Sequence, residues 1–362
     1  MRQLAETLVI AAAGGAALGI PGFPAGWLSG AIVAVTAAAL MRRPVVVPEM
    51  LARICIVTIG ISLGSAVTPE TLMRMASWPA SLVALSLAMV GVTVAVAAYL
   101  HYWHGWDVLA AVFAAAPGAL SQSLALAAEC DTDIRSVAMV QAVRILVLTV
   151  GLPIGFAAFG VTGVAPVRGI PASLASLSSL AELTGLVAAS IAAAAFFYRV
   201  RMPGGLIFGA MAASGVLHGT GLIRVSLPQG PAIASFVVLG AIIGVRFVGA
   251  DIWLLRRLTI VGLGALAVGM AVAGAFAIAT AMALSLRVAD VVIAYAPGGL
   301  EAMTILAFAL NLDPVYVGVH QIARFVVISL FVPLAVYRLR GRRPLTEQPA
   351  PDPGPPTGAP GR

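Results

Sequence analysis

The sequence predicts an all-α polytopic membrane protein: two repeats of about five transmembrane helices, each with an added broken or re-entrant segment, and the second repeat inverted. Three observations predict it. The 362-residue chain is 61% hydrophobic and only 10% charged, against about 25% charge in a soluble domain. Apolar runs long enough to cross a bilayer, about 17–25 residues each, recur from end to end. They are continuous rather than alternating, which argues against a β-barrel. Finally, the chain repeats itself at a shift of 180 residues.

The repeat is visible by eye. Pro117 in "AAAPGALSQSLALAAE" (114–129) falls on Pro297 in "IAYAPGGLEAMTILA" (293–307). At the same shift Asp133 falls on Asp313, Gln141 on Gln321, Arg144 on Arg324, and Pro153 on Pro333. Upstream, Gly60 and Gly64 fall on Gly240 and Gly244, and "PAGWLSGA" (24–31) resembles "PGGLIFGA" (203–210) at a shift of 179. Agreement over several segments at one offset marks a duplication. The first repeat is placed at 1–165, a linker at 166–180 and the second repeat at 181–340. Residues 341–362, rich in Pro and Gly, lack the apolar surface to order themselves and are expected to form a disordered tail.

Each repeat contains six apolar segments. They are 4–19, 25–41, 50–67, 79–100, 106–128 and 136–160, then 182–198, 204–222, 231–249, 258–281, 288–310 and 315–337. Proline sits at or just before several starts, at Pro24, Pro48, Pro203 and Pro231, where its missing N–H costs nothing. Segments 106–128 and 288–310 are interrupted by Pro-Gly, leaving about ten residues on either side. Pieces that short suit a segment that enters and leaves on one side of the membrane.

Arginine placement favours that reading. The net charge of +7 comes from Arg alone, because the chain has no Lys. With the N-terminus inside and the broken segments re-entrant, 14 Arg lie inside and 4 outside; if all twelve segments cross, the split is 11 to 7. Cytoplasmic loops carry the excess of basic residues, so the repeats are expected to be inverted. A spanning broken segment paired with an interfacial one would keep the same inversion.

The breaks carry the functional expectation. Proline ends the hydrogen-bond ladder, glycine lets the backbone turn or approach a ligand, and the second half-segment starts with free N–H groups. Such backbone survives at membrane depth only against protein or a wet cavity, and a pair of breaks near the midplane is a common transport site. The candidate binding residues are Pro117, Gly118, Ser121, Gln122, Gln141 and Arg144 in the first repeat. In the second they are Pro297, Gly298, Gly299, Glu301, Gln321 and Arg324. The Q-x-x-R spacing puts Gln141 with Arg144, and Gln321 with Arg324, on one helical face. Charges inside apolar runs face the bundle interior and have partners. Glu301 is the expected partner of one Arg. The first repeat has Ser121 at the matching place, leaving one buried cation for a small anion unless Asp131 or Asp133 reaches Arg144. The plainer readings are a kink at each Pro-Gly, snorkelling arginines, and glutamines that bond between helices.

Other classes find less support. Cys55 and Cys130 are far apart, with no CxxC, and suggest neither a metal nor a redox pair. His101 and His104 in "HYWHGWD" read as interfacial anchors rather than metal ligands. No nucleotide or nucleophile motif is present, so the expectation is a non-enzyme without cofactor or metal. The expected partners are the lipid bilayer and a small molecule or ion, with an anion suiting the spare arginine, and no nucleic acid. A homo-oligomer is compatible with this composition.

Two stretches, "AAAPGALSQSLALAAECDTDIRSVAMVQAVRILVL" (114–148) and "YAPGGLEAMTILAFALNLDPVYVGVHQIARFVVISLFVP" (295–333), resemble the AbrB family of bacterial inner-membrane proteins, which has a duplicated membrane domain. The first copy departs from the pattern at Ala119 and lacks the glutamate. The resemblance implies a multi-pass protein of the bacterial inner membrane. Members are often labelled ammonia monooxygenases or regulators of gene expression. The expected function is a secondary transporter or permease for a small solute. The alternative is a membrane sensor affecting gene expression, and a metal-dependent monooxygenase ranks last because a His-rich set is missing.

Overall fold

The structure is a computed structural model and describes residues 2–68, 75, 78–118, 120–130, 132–158, 177–250 and 252–340. Most of the predicted linker and all of the predicted tail, 341–362, lie outside the described residues. Among those described, the chain forms fourteen helices and no strand. In chain order they begin with α1 (Arg2–Gly19), α2 (Gly26–Leu40), α3 (Glu49–Gly64), α4 (Trp78–His104), α5 (Val108–Ala115), α6 (Leu120–Glu129) and α7 (Ile134–Ala158). Then follow α8 (Leu177–Arg199), α9 (Gly205–Gly219), α10 (Gln229–Val245), α11 (Ile252–Ala283), α12 (Val288–Tyr295), α13 (Leu300–Ala309) and α14 (Pro314–Arg340).

Five of these helices are long and apolar enough to cross a membrane: Trp78–His104, Ile134–Ala158, Leu180–Arg199, Leu255–Ala283 and Pro314–Leu339. They mark a multi-pass membrane protein. Large apolar side chains on α4, Val83, Leu87 and Val94, stay more than half exposed on the molecular surface, as a lipid-facing stripe does. The apolar helices α2 and α9 have only 15 residues each, or about 22 Å at 1.5 Å per residue. That falls short of a hydrocarbon core of about 30 Å. The sequence-derived segments were longer there because the apolar run continues into the turns that follow.

Corresponding positions adopt corresponding backbone. Left-handed φ values occur at Gly22 and Arg201, Ala25 and Gly204, Arg42 and Gly221, and Gly105 and Ser285. Each pair is 179 or 180 residues apart. Pro153 and Pro333 both sit inside a long helix, α7 and α14. Helix partners correspond as well: α1 packs on α2 as α8 does on α9, and α3 packs on α9 as α10 does on α2.

Glycines allow those last two crossings. A Cβ on Gly60 would lie 2.6 Å from the Ile207 oxygen, and one on Gly240 would lie 2.7 Å from the Leu28 oxygen. Small residues let backbones touch in this way.

The helices group into two bundles. One contains α1, α2, α3, α8, α9 and α10; the other contains α4 to α7 and α11 to α14, with α4 against α11 at its centre. The seam between them is lighter and is carried by α2 on α7 and by α3 on α13 and α14. Within the second bundle the two ends of each broken segment lie together. His104, Asp107, Cys130, Asp133 and Arg257 line one surface pocket. Trp78, Leu284, Arg287, Asp290 and Asp313 line another. The Asp290 carboxylate accepts the Asp313 N–H at 2.9 Å, joining the start of α12 to the start of α14. Asp133 caps α7 by accepting from the Arg135 and Ser136 N–H groups.

Candidate functional site

The site begins where α5 and α12 stop. Each is eight residues long and is followed by Ala-Pro-Gly, and proline cannot continue the ladder. The last carbonyls of a helix have no partner within it. Here they take partners from the next long helix. Gln141 Nε2 donates to Phe113 O at 2.7 Å. Arg144 donates from Nη1 to Ala114 O and Ala115 O, at 3.4 and 3.2 Å, and from Nη2 to Ala116 O at 3.1 Å. The second broken segment does the same. Gln321 Nε2 donates to Ile293 O and Ala294 O at 3.3 and 3.2 Å. Arg324 donates to Ala296 O and Gly298 O, both at 2.7 Å. The Q-x-x-R pair is therefore a C-terminal clamp, and its guanidinium sits at the negative end of the helix dipole.

This geometry corrects two expectations. Arg144 is 6% exposed and Arg324 is 0% exposed, so neither snorkels. Nor does either form an ion pair with a carboxylate among the described residues, unlike Arg43 with Glu6 and Arg53 with Glu49. Glu301 does not pair with Arg324, because the carbonyls at the break already hold that guanidinium. Asp133 is spent on its helix cap and does not reach Arg144; Asp131 lies outside the described residues. The Nε–H of each buried Arg has no acceptor.

The two breaks meet. Gly118 has φ +89°, and a Cβ there would lie 2.9 Å from Arg324 Nη2 and 3.0 Å from its Nε. The first break thus rests on the clamp of the second, and Pro117 and Pro297 are both buried.

Beside this junction lies a cavity of about 550 Å³. Of the predicted residues, Gly118, Gln141, Arg144, Gly298, Gly299 and Glu301 line it. Pro117, Pro297, Gln321 and Arg324 stand behind it as the frame. Ser121 and Gln122 fall in the first turn of α6, and their side chains lie outside the described residues. The helix α13 starts at the cavity: Gly299 is its N-cap, without a side-chain acceptor. Its first N–H groups have no partner within the helix.

Sequence reasoning missed the opposite wall. Leu28, Ile56, Leu239, Ile242 and Ile243, all from the six-helix bundle, form an apolar face, and Arg201 and Arg246 add two guanidinium groups. The two arginines looked like topology signals, and no spacing tied α2, α3 or α10 to the breaks. The histidines of "HYWHGWD" have local partners: His101 Nδ1 lies 2.7 Å from Trp106 O, and His104 Nε2 lies 2.9 Å from Tyr99 Oη.

A family model described as "Transition state regulatory protein AbrB" matches residues 27–340. Comparison with curated proteins and with solved structures returns no match.

Proposed function

The chain belongs to the AbrB family, and from the geometry of its cavity we propose that it is a secondary transporter for a small solute. One observation carries this reading: the cavity lies between two helix bundles joined by a light seam, and it ends where two helix breaks meet. Binding at paired breaks between bundles that can shift is the arrangement that alternating access requires.

The reading takes each broken segment as re-entrant and the two repeats as inverted. The shared surface pockets support this. The start of α5 and the end of α6 lie with the start of α11, whereas the start of α12 and the end of α13 lie with the start of α4. The hairpins then enter from opposite faces. The cavity, with Arg201 and Arg246 beside it, opens towards the face that holds most of the arginines, which is the cytoplasmic face under the positive-inside rule.

In this scheme the eight-helix bundle carries the breaks and shifts against the six-helix bundle. The clamps keep the breaks rigid during the shift. Gln141 and Arg144, together with the backbone at Gly118, Gly298 and Gly299, bind the solute. Glu301, at the first turn of α13, takes up and releases the coupling proton or ion.

The family description names a regulator, which supports a second reading: the cavity senses a solute and alters expression without transport. Proteoliposomes containing a pH dye, challenged with small acids, amines and neutral solutes, separate the two. Transport predicts a protein-dependent pH change with at least one class, lost in Glu301→Gln at unchanged thermal stability. Silence towards every class, with altered expression in a deletion strain, contradicts transport and favours the sensor.

A further inference from the structure

The cavity lining combines two chemistries, and that combination selects a ligand. Three guanidinium groups, those of Arg144, Arg201 and Arg246, face one carboxylate, Glu301. The positive end of α13 adds to the excess. Arg144 is the buried member, 6% exposed, and its Nε–H has no acceptor. Its Nη atoms are held by the carbonyls that end α5 and by Gln141, and its Nε is buried out of reach of the cavity, so Arg144 contributes charge beneath the site rather than a free donor. Arg201 and Arg246 lie at the edge of the six-helix bundle, which also offers the half-buried Ile56 and Ile242, while Ile145, Ile305 and Phe325 add apolar surface from the other side.

Resting on the transport reading and deepening it, we infer that the cavity binds an organic monoanion: a carboxylate head with an apolar body. A cation is repelled by the arginine excess. A polyol finds no hydrogen-bonding partners on the aliphatic wall, and burying its hydroxyls there is costly. A second negative charge would have to face either that wall or Glu301. A single carboxylate meets Arg246 and the α13 N–H groups with its head, above the buried charge of Arg144, and the aliphatic side chains with its body. Arg201 and Arg246, both exposed, draw the anion in. The volume of about 550 Å³ falls in the range of small-molecule sites, about 300–1,000 Å³, and exceeds what a bare inorganic anion fills.

Isothermal titration of the full chain in detergent, at low salt, tests this with benzoate, its neutral isostere benzamide, and acetate as a head without a body. Benzoate is expected to bind at least about tenfold more tightly than either, tenfold being about 1.4 kcal/mol. Arg246→Gln should weaken benzoate several-fold and leave any benzamide binding unchanged. Arg144→Lys keeps a cation at the clamp and should weaken benzoate less. Equal binding of benzamide overturns the anionic head, equal binding of acetate overturns the apolar body, and no benzoate binding overturns both. Benzoate binding without flux in proteoliposomes upholds this site and contradicts transport. Flux of amines or neutral solutes without benzoate binding upholds transport and contradicts this site.

Discussion

Gly118→Ala is expected to strain the junction between the repeats, and the structure sets the size of the effect. The new methyl would lie 2.9 Å from Arg324 Nη2 and 3.0 Å from Nε, closer than carbon and nitrogen tolerate. Arg324 has no slack, because two 2.7 Å hydrogen bonds hold it to Ala296 O and Gly298 O. Overpacking of this kind costs about 1–3 kcal/mol. The backbone adds a second penalty, since φ is +89°, and a Cβ in a left-handed conformation costs about 1–2 kcal/mol. The sum is roughly 2–5 kcal/mol.

Arg324→Met separates the two parts. Alone, it leaves the buried Gly298 carbonyl without its donor, at about 1–3 kcal/mol, while Ala296 O keeps the Gly298 N–H at 2.8 Å. In the double variant the methyl meets a flexible thioether instead of a clamped guanidinium, so only the backbone penalty of Gly118→Ala remains. Denaturant titration in mixed micelles of the wild type, both single variants and the double variant closes the cycle. A coupling of about 1–3 kcal/mol is expected. Gly298→Ala is the control. Its φ lies outside the left-handed region and its Cβ would meet Met303 rather than Arg324, so its cost should not depend on Arg324→Met. Strictly additive effects of Gly118→Ala and Arg324→Met would refute the contact between the two breaks.

Two other positions test the scaffold by the same titration. Gly240→Ala should destabilise by about 1–3 kcal/mol, because its Cβ would lie 2.7 Å from the Leu28 oxygen; a neutral result would contradict the close crossing of α10 and α2. Asp133→Ala removes the cap of α7 and should cost about 1 kcal/mol. The Ser136 hydroxyl, then the N–H groups of Ser136 and Arg135 and the Arg135 charge, lower the Asp133 pKa. A depressed carboxyl stabilises above its unfolded pKa of about 3.9 and loses that contribution as the pH falls through the folded value. The difference between wild type and Asp133→Ala should therefore shrink below about pH 4. A difference independent of pH would contradict the cap.

Much of the helical plan was legible because its signals are local. Pro117 and Pro297 break their segments as proline must, and the 180-residue offset located Gln141, Arg144, Gln321 and Arg324 before any coordinates. The role of those four side chains was less legible. A buried Arg in an apolar run asks for a partner, and the sequence offered carboxylates for it at Glu301, Asp131 and Asp133. The actual partners are backbone carbonyls 26 to 30 residues upstream, which every sequence carries and none displays. Arg246 and Arg201 were read as loop charges, since reaching the cavity depends on how two bundles dock. The light seam between those bundles is likewise a property of packing, and Leu28 or Leu239 looks like any other apolar residue in the chain.

The central claim is that the space at the breaks is reached from both faces of the membrane in turn. Leu300, in the first turn of α13 and on the cavity wall, reports on it directly. In a background with Cys55→Ser and Cys130→Ser, Leu300→Cys is exposed to an impermeant maleimide from one face or the other, using vesicles of known orientation. The account predicts labelling from both faces, with a saturating bound solute changing the ratio. Labelling from the arginine-rich face alone, under every solute and pH condition, would contradict it.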